Sequence, residues 1–266
     1  MRYVSLLMGL LILFCMSSCR EKKPQSTEDL TVEPVVEQQA EKNTRNARWV
    51  ELLNKLPDSL FTAYMEEAVA VNRSGEVFNG HMVIAKKHKM QRLQVDSLSS
   101  LGVLPTQRDS TINYEIAQFW TSDGQLFKSL VIWNSSGGSP LRELEFIAKA
   151  DESQSFPAVI ETRREDWMKL CNAHKAEELV KELYTENAIY YNHKPVVIGH
   201  LDIAREYAYM NQENYSLKLT PLIRGPVDEN LAFEIGQCSG SYGGKYVLIW
   251  QKGPEGEWRI LMDSNL

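Results

Sequence analysis

Through the second half of the chain, apolar residues recur first at helical and then at strand spacings. Between residues 163 and 183, Trp167, Leu170, Cys171, Leu179, Val180 and Leu183 share a helical face, broken at Asn172-Ala173-His174. That spacing predicts a helix interrupted once. Residues 188–192 read as a short strand, and Gly199 opens a helix that runs through Met210. Three or four strands follow, over 215–223, 231–239, 245–252 and 258–263, with Gly225-Pro226, Gly243-Gly244 and Gly253-Pro254 as turn markers between them. Helices first and a run of antiparallel strands last predict an α+β plan, with helices on one face of a curved sheet.

The same pattern is written twice. Tyr64-Met65-Glu66-Glu67-Ala68-Val69 and Tyr184-Thr185-Glu186-Asn187-Ala188-Ile189 share Tyr, Glu and Ala at an offset of 184 − 64 = 120, and Asn72 and Asn192 follow in step. After a one-residue deletion, Gly80-His81 answers Gly199-His200, and Tyr114-Glu115-Ile116-Ala117-Gln118 answers Phe233-Glu234-Ile235-Gly236-Gln237. Lys128, Ile132 and Trp133 answer Lys245, Ile249 and Trp250, and upstream Trp49 answers Trp167. Ordered matches at a nearly constant offset mark a tandem duplication, two copies of one supersecondary unit.

The N-terminus is different in kind. Met1-Arg2 is followed by an almost continuously apolar stretch over 5–16, too short to span a bilayer and ordered like a secretory signal. Met16-Ser17-Ser18-Cys19 then resembles a bacterial lipobox, in which the cysteine receives lipid. Residues 1–18 are thus expected to be a signal peptide. Residues 19–43, polar and without periodicity, read as a lipidated, disordered tether with a reach of about 25–30 Å. The tandem domains are then expected over 44–151 and 162–266. This places the protein in the bacterial cell envelope, attached to a membrane through Cys19. The net charge of −6 offers none of the basic surface that nucleic acid requires. Of the other cysteines, Cys171 and Cys238 both sit in apolar patterns where a buried free thiol is common.

The second copy resembles the nuclear transport factor 2-like superfamily, in its SnoaL-like branch. The residues that carry this are Trp167, Leu183-Tyr184-Thr185-Glu186-Asn187-Ala188, Gly199, Ala232-Phe233-Glu234-Ile235-Gly236, Lys245-Tyr246, Trp250, Gly256-Glu257-Trp258-Arg259-Ile260 and Asp263. The first copy resembles the family mainly through the second and is more diverged. The resemblance implies two cone-shaped domains, each a curved, mostly antiparallel sheet wrapped around helices and enclosing a pocket. It also implies an intramolecular pseudo-dimer, since many single-domain relatives dimerise through their sheets. It does not fix a function, because the same cone serves catalysis, binding or neither.

Ketosteroid isomerase, a member of that superfamily, supplies a chemical test. Its aspartate base position matches Asn192, and Asn72 in the first copy; its acidic oxyanion position falls near Leu248, and its tyrosine near Trp167 or Met168. An amide has no basic site near neutrality, so chemistry of that type has no base here. Strand alternation instead proposes a lining of Tyr190, Asn192, Phe233, Ile235, Gln237, Tyr246, Leu248, Trp250 and Asp263, aromatic walls with a few polar groups. The ligand-binding residues expected among these are Tyr190, Asn192, Phe233, Gln237, Tyr246, Trp250 and Asp263. The same alternation places Glu115 and Glu234 on the outer sheet face. His81 and His200 follow a helix-opening glycine, and His88, His174 and His193 have no partner at metal-ligand spacing. No metal-binding, nucleophile-elbow or phosphate-loop motif occurs, so no cofactor is expected.

Three readings follow. The leading one is a membrane-anchored, non-catalytic module that binds a small apolar or amphipathic ligand or an envelope partner. The competing one is a SnoaL-like enzyme using Asp263 with Tyr190 or Tyr246 as acid and base. The third is a structural interaction protein with filled cones.

Overall fold

The computed structural model describes residues 35–266 apart from 109, 193 and 194. The signal peptide, Cys19 and the start of the tether lie outside the described residues. The first helix, α1 (Val35–Lys55), begins inside the stretch expected as tether. Its Glu-Gln-Gln-Ala-Glu-Lys segment is polar, but those residues are strong helix formers, and polarity alone does not make a disordered tether.

A short 3-10 turn (Pro57–Ala63) leads into β1 (Tyr64–Val71), β2 (Val77–Asn79) and α2 (His81–Gln91). Four long strands complete the first half: β3 (Val95–Pro105), β4 (Ile112–Thr121), β5 (Leu126–Asn134) and β6 (Leu141–Lys149). The second half repeats this with its opening helix broken into α3 (Val159–Asn172) and α4 (Ala176–Leu183). Then come β7 (Tyr184–Tyr191), β8 (Val197–Ile198), α5 (His200–Glu206) and a 3-10 turn (Tyr207–Asn211). The last strands are β9 (Leu217–Asp228), β10 (Leu231–Gly240), β11 (Lys245–Lys252) and β12 (Trp258–Ser264).

The two sheets have one topology. Strand order is β2-β1-β6-β5-β4-β3 in the first and β8-β7-β12-β11-β10-β9 in the second. All neighbours are antiparallel except β1 with β6 and β7 with β12. Each half is therefore a six-stranded, mostly antiparallel open sheet with helices, the α+β plan expected, in two similar units. The helices after β2 and β8 start alike. Gly80 and Gly199 adopt φ of 90° and 87°, and their N–H groups bond Ala68 and Ala188 carbonyls in β1 and β7. Only glycine takes that conformation without strain.

Gly225-Pro226 is not a turn. It lies within β9, where the pairing with β10 shifts register, and the turn comes at Asp228-Glu229-Asn230. The edge position of β9 explains how Pro221 and Pro226 fit in a strand, because the missing N–H groups face away from the ladder.

Both faces of each sheet are covered. Helices pack on one face, giving a core around Trp49, Leu53, Leu60 and Phe119 in the first half and one around Trp167, Leu179, Tyr207 and Trp250 in the second. On the other face the two sheets meet. Val69, Ile116, Leu130, Ile132, Leu144 and Phe146 pack with Ile189, Phe233, Ile235, Val247, Ile249 and Leu261 in one apolar cluster. Phe146 and Phe233 are edge-on there, with centroids 5.5 Å apart. Polar contacts frame the seam: Arg73 forks onto Asp228, Tyr191 Oη donates to Glu143 Oε1 at 2.6 Å, and the Leu266 N–H donates to Tyr114 Oη at 2.7 Å.

Candidate functional site

The parallel strand pair at the heart of each half carries a buried carboxylate. Glu145 on β6 stands opposite Ala70 on β1, and Asp263 on β12 stands opposite Tyr190 on β7. Since 190 − 70 is the repeat offset of 120, the two acids occupy one position of the fold. Each is reached by the same relay. Trp49 Nε1 donates to Tyr64 Oη at 2.8 Å, and Tyr64 donates to Glu145 Oε2 at 2.8 Å. Trp167 Nε1 donates to Tyr184 Oη at 3.1 Å, and Tyr184 donates to Asp263 Oδ2 at 2.6 Å. Helix, first strand and last strand are thereby tied through polar groups inside the core, where satisfied hydrogen bonds are required.

The remaining partners differ. In the first half, α2 supplies His88, whose Nε2 lies 2.5 Å from Glu145 Oε1, and β6 supplies Arg142, whose Nη1 donates to Glu145 Oε2 at 2.9 Å. In the second, Tyr207 stands in for His88 and donates to Asp263 Oδ2, while Ile260 takes the place of Arg142 opposite the relay tyrosine. Burial raises the Asp263 carboxyl to about 6, and the two tyrosine hydroxyls and the Ser264 N–H only partly offset it. Burial also acts to raise Glu145, but His88 and Arg142 beside it, with the Tyr64 hydroxyl, bring it well below the usual carboxylate range.

Glu115 and Glu234 are also internal, which corrects their expected outer placement. Glu115 accepts from Asn46 at 3.0 Å and Trp133 at 2.6 Å. Glu234 accepts both Nε and Nη2 of Arg164, at 2.8 and 2.7 Å, and the Tyr246 hydroxyl at 2.8 Å. The Tyr246 ring crosses β10 at Gly236, where an added Cβ would lie 2.2 Å from it. The first half has Ala117 at that place and the small Ser129 facing it.

The expected lining residues separate into four groups. Phe233 and Ile235 face the other sheet, the reverse of their expected direction. With both sheet faces apolar, the pattern of β10 cannot tell inside from outside. Gln237 closes the β10–β11 hairpin, donating to the carbonyls of Cys238, Gly243 and Gly244 and accepting from Lys245. Asn72, the counterpart of Asn192 in the first half, likewise ties up a turn, through Ser74 and Glu76. Tyr246, Leu248, Trp250 and Asp263 lie in the interior core or beside it. Tyr190 and Asn192 sit at the open end, where the Tyr190 hydroxyl donates to Asn265 Oδ1 at 2.6 Å. Cys171 and Cys238 are buried free thiols.

The interior beside Asp263 is nearly full. The void between Trp167, Tyr207, Met210, Cys238, Tyr246 and Asp263 is about 20 Å³, room for one water. No substrate fits there. At the mouth, by contrast, a pocket of about 510 Å³ is lined by Tyr190, Asn192, Tyr209, Tyr215, Ser241, Tyr242 and Asn265, with Gln107 from the first half. Tyr209 and Tyr215 meet edge-on with centroids 5.3 Å apart. Asn265 touches both the void and the mouth. A second cleft, of about 500 Å³, lies in the first half at the C-terminal end of α2, with His88 among its lining. Among the described residues no cluster of side chains could hold a metal ion.

Neither the relays nor His88 emerges from the sequence reading. The recurrence of Trp49 with Trp167 and Tyr64 with Tyr184 is visible there, but only as a mark of duplication. The signal for the shared acid lies in the alignment of residues 141–149 with 258–264, where Glu145 and Asp263 correspond.

No family model matches the chain, and no curated protein does. Solved structures do match. An NTF-2-like protein of unknown function from Shewanella oneidensis MR-1 is similar over 40% of this chain and 93% of its own, at 15% identity and a TM-score of 0.36. A ketosteroid isomerase-like protein from Erwinia carotovora atroseptica covers 43% of this chain and 98% of its own, at 12% identity and a TM-score of 0.35. An NTF-2-like protein of unknown function from Burkholderia xenovorans LB400 covers 47% and 93%, at 14% identity and a TM-score of 0.34.

The raised Asp263 carboxyl has a measurable consequence. Its proton is held more tightly in the folded state, about 6, than at the ordinary value of 3.8. Stability from this group is therefore complete below about pH 4 and is lost as pH rises to about 6, by up to about 3 kcal/mol. Asp263→Asn keeps an acceptor for both tyrosines and removes the titration. Denaturant unfolding from pH 4 to 6 should show the variant gaining stability relative to the parent as pH rises; a constant difference contradicts this.

Proposed function

We propose that the protein is a binding module whose ligand site is the tyrosine-lined mouth of the second half, and that it is held at an envelope membrane by lipid on Cys19. One observation carries the first part: the mouth offers about 510 Å³ while the space beside Asp263 offers about 20 Å³. A ligand therefore rests on the rim of the cone and does not enter it. No Asp, Glu, Lys or Arg side chain is among the described lining residues, which suits an uncharged ligand. Its body meets the rings of Tyr190, Tyr209, Tyr215 and Tyr242, and its polar groups meet Asn192, Ser241 and Gln107. Aromatic walls with a few fixed amides and hydroxyls suit a small amphipathic molecule.

The anchor rests on the N-terminal pattern, a charged start, an apolar run and Met16-Ser17-Ser18-Cys19. Among the described residues no helix is long and apolar enough to cross a membrane. Lipid on the cysteine, contributing about 0.8 kcal/mol per buried methylene, would supply the attachment.

Thermal unfolding in the presence of neutral sterols and neutral aromatic alcohols tests the site. A true ligand at a hundred times its Kd stabilises by about 2.7 kcal/mol. Tyr209→Ala should remove that stabilisation while leaving the unliganded melting point nearly unchanged, because Tyr209 is partly exposed, at 38%. If no neutral compound raises the melting point, or if Tyr209→Ala leaves the rise intact, this site is not the binding site. For the anchor, Cys19→Ala should move the protein from the membrane fraction to the soluble fraction; unchanged membrane retention contradicts lipid attachment.

A further inference from the structure

One helix of the first half turns a basic and apolar face to solvent. Ile84, Ala85 and His88 of α2 point into the core. At helical spacing, Met82, Val83, Lys86, Lys89 and Met90 share the opposite side, and all five are exposed. Met90 is 74% exposed, Met82 59% and Val83 48%. Residues 81–92 carry Lys86, Lys87, Lys89 and Arg92 and no acid, in a chain whose net charge is −6. Lys89 pairs with Asp58 at 2.5 Å, and the Lys87 ammonium lies 4.5 Å from the Phe78 ring centroid. Asp123 lines the same cleft as Lys87 and Arg92, and its carboxylate accepts from Thr121 and Gln125. Even with Asp58 set against Lys89 and Asp123 against Arg92, α2 keeps a positive excess beside three bare apolar side chains.

The duplication supplies a comparison. At the offset of 200 − 81 = 119, Leu201, Asp202, Arg205 and Glu206 of α5 stand where α2 has Met82, Val83, Lys86 and Lys87. Arg205 donates to Asp202 at 2.9 Å, and Glu206 leaves that helix net negative. The fold therefore does not require a basic, apolar surface at this place, and the composition of α2 points to a partner. Protein interfaces are poor in lysine and rich in aromatic residues and arginine, whereas the outer face of α2 has lysines and no aromatic ring. Lysines mixed with Met and Val suit an anionic lipid layer. Apolar side chains enter the boundary between headgroups and acyl chains there, and long lysine stems carry the ammonium groups out to the phosphates.

We propose that the outer face of α2 lies on an anionic phospholipid surface, with Met82, Val83 and Met90 at the acyl boundary and Lys86, Lys87, Lys89 and Arg92 toward the phosphates. The contact does not depend on lipid at Cys19, and the two are geometrically compatible. The 35 − 19 = 16 residues from Cys19 to the start of α1 reach at most about 55 Å. The 21 residues of α1 make it about 32 Å long, so an anchored body can turn α2 to the membrane.

The test uses the full chain carrying a lipid-sensitive fluorophore at Met90→Cys, a substitution at a solvent-facing position. It is mixed with an excess of vesicles of phosphatidylglycerol and phosphatidylcholine in equal parts, or of phosphatidylcholine alone, each doped with brominated lipid as quencher. Anionic vesicles should quench the probe at low salt, and neutral vesicles or high salt should not. Lys86→Gln should lower the ratio of docked to undocked protein about five-fold, the effect of one basic residue near an anionic surface. Arg205→Gln, at the matching position of α5, should leave the ratio unchanged. No quenching by anionic vesicles, or equal quenching by both kinds, overturns the proposal. A response to soluble polyglutamate equal to that given by anionic vesicles assigns the face to an acidic protein and also overturns it. Retention of the protein on neutral vesicles reports the Cys19 anchor separately, so failure of one contact is not read as failure of the other.

Discussion

In each half, a carboxylate has been taken out of water and placed on the strand that pairs parallel with the first strand of its sheet. Such a group is costly to bury, and only a full set of donors compensates. Tyrosine and tryptophan from two other elements supply them, Tyr64 with Trp49 and Tyr184 with Trp167. The relay fixes where the opening helix lies against the sheet, because its tryptophan must reach the tyrosine hydroxyl. Around that shared constraint the two halves differ. Each contains a buried arginine, but Arg142 serves the relay acid Glu145 in the first half and Arg164 serves Glu234 in the second. The relay acid without an arginine, Asp263, is the one whose carboxyl is raised.

The second constraint is the meeting of the sheets. An open sheet with one apolar face outward would be a docking surface or an aggregation hazard. Here each sheet covers the other, with Phe146 and Phe233 among the contacts and the Arg73–Asp228 fork at the rim. Residues that match between the two copies, such as Ile116 with Ile235 and Ile132 with Ile249, lie together in this one cluster. Helices cover the other faces, and the clefts discussed lie at the ends of the halves. The volumes follow this geometry, with about 20 Å³ inside the second cone and about 500 Å³ in each of the open clefts discussed.

Much of the architecture is legible from residue patterns. The break at Asn172-Ala173-His174 becomes the gap between α3 and α4, and the strand run beginning at Leu231 appears with nearly its expected limits. The inward or outward direction of β10 is not legible. Ala232, Phe233, Glu234 and Ile235 are all fully buried, so alternation of apolar and polar residues no longer reports which face is which. Glu234, the one charged residue of that run, is the strand's inner anchor and reads as an outer residue only because its partner Arg164 is 70 positions away. His88 is hidden for the same reason: its partner Glu145 lies 57 residues further on, joined only by the fold. Long-range polar pairing is invisible to local spacing, and the sites here are made of it.

One position of the fold carries two acids of opposite character, set by their partners. Site-resolved carbon NMR of the carboxyl groups, followed from acid to neutral pH, tests it most directly. Asp263 is predicted to titrate near pH 6, with Glu145 remaining ionised to well below the usual carboxylate range. Asp263 titrating near its ordinary value of 3.8, or Glu145 protonating before it as pH falls, would contradict the account.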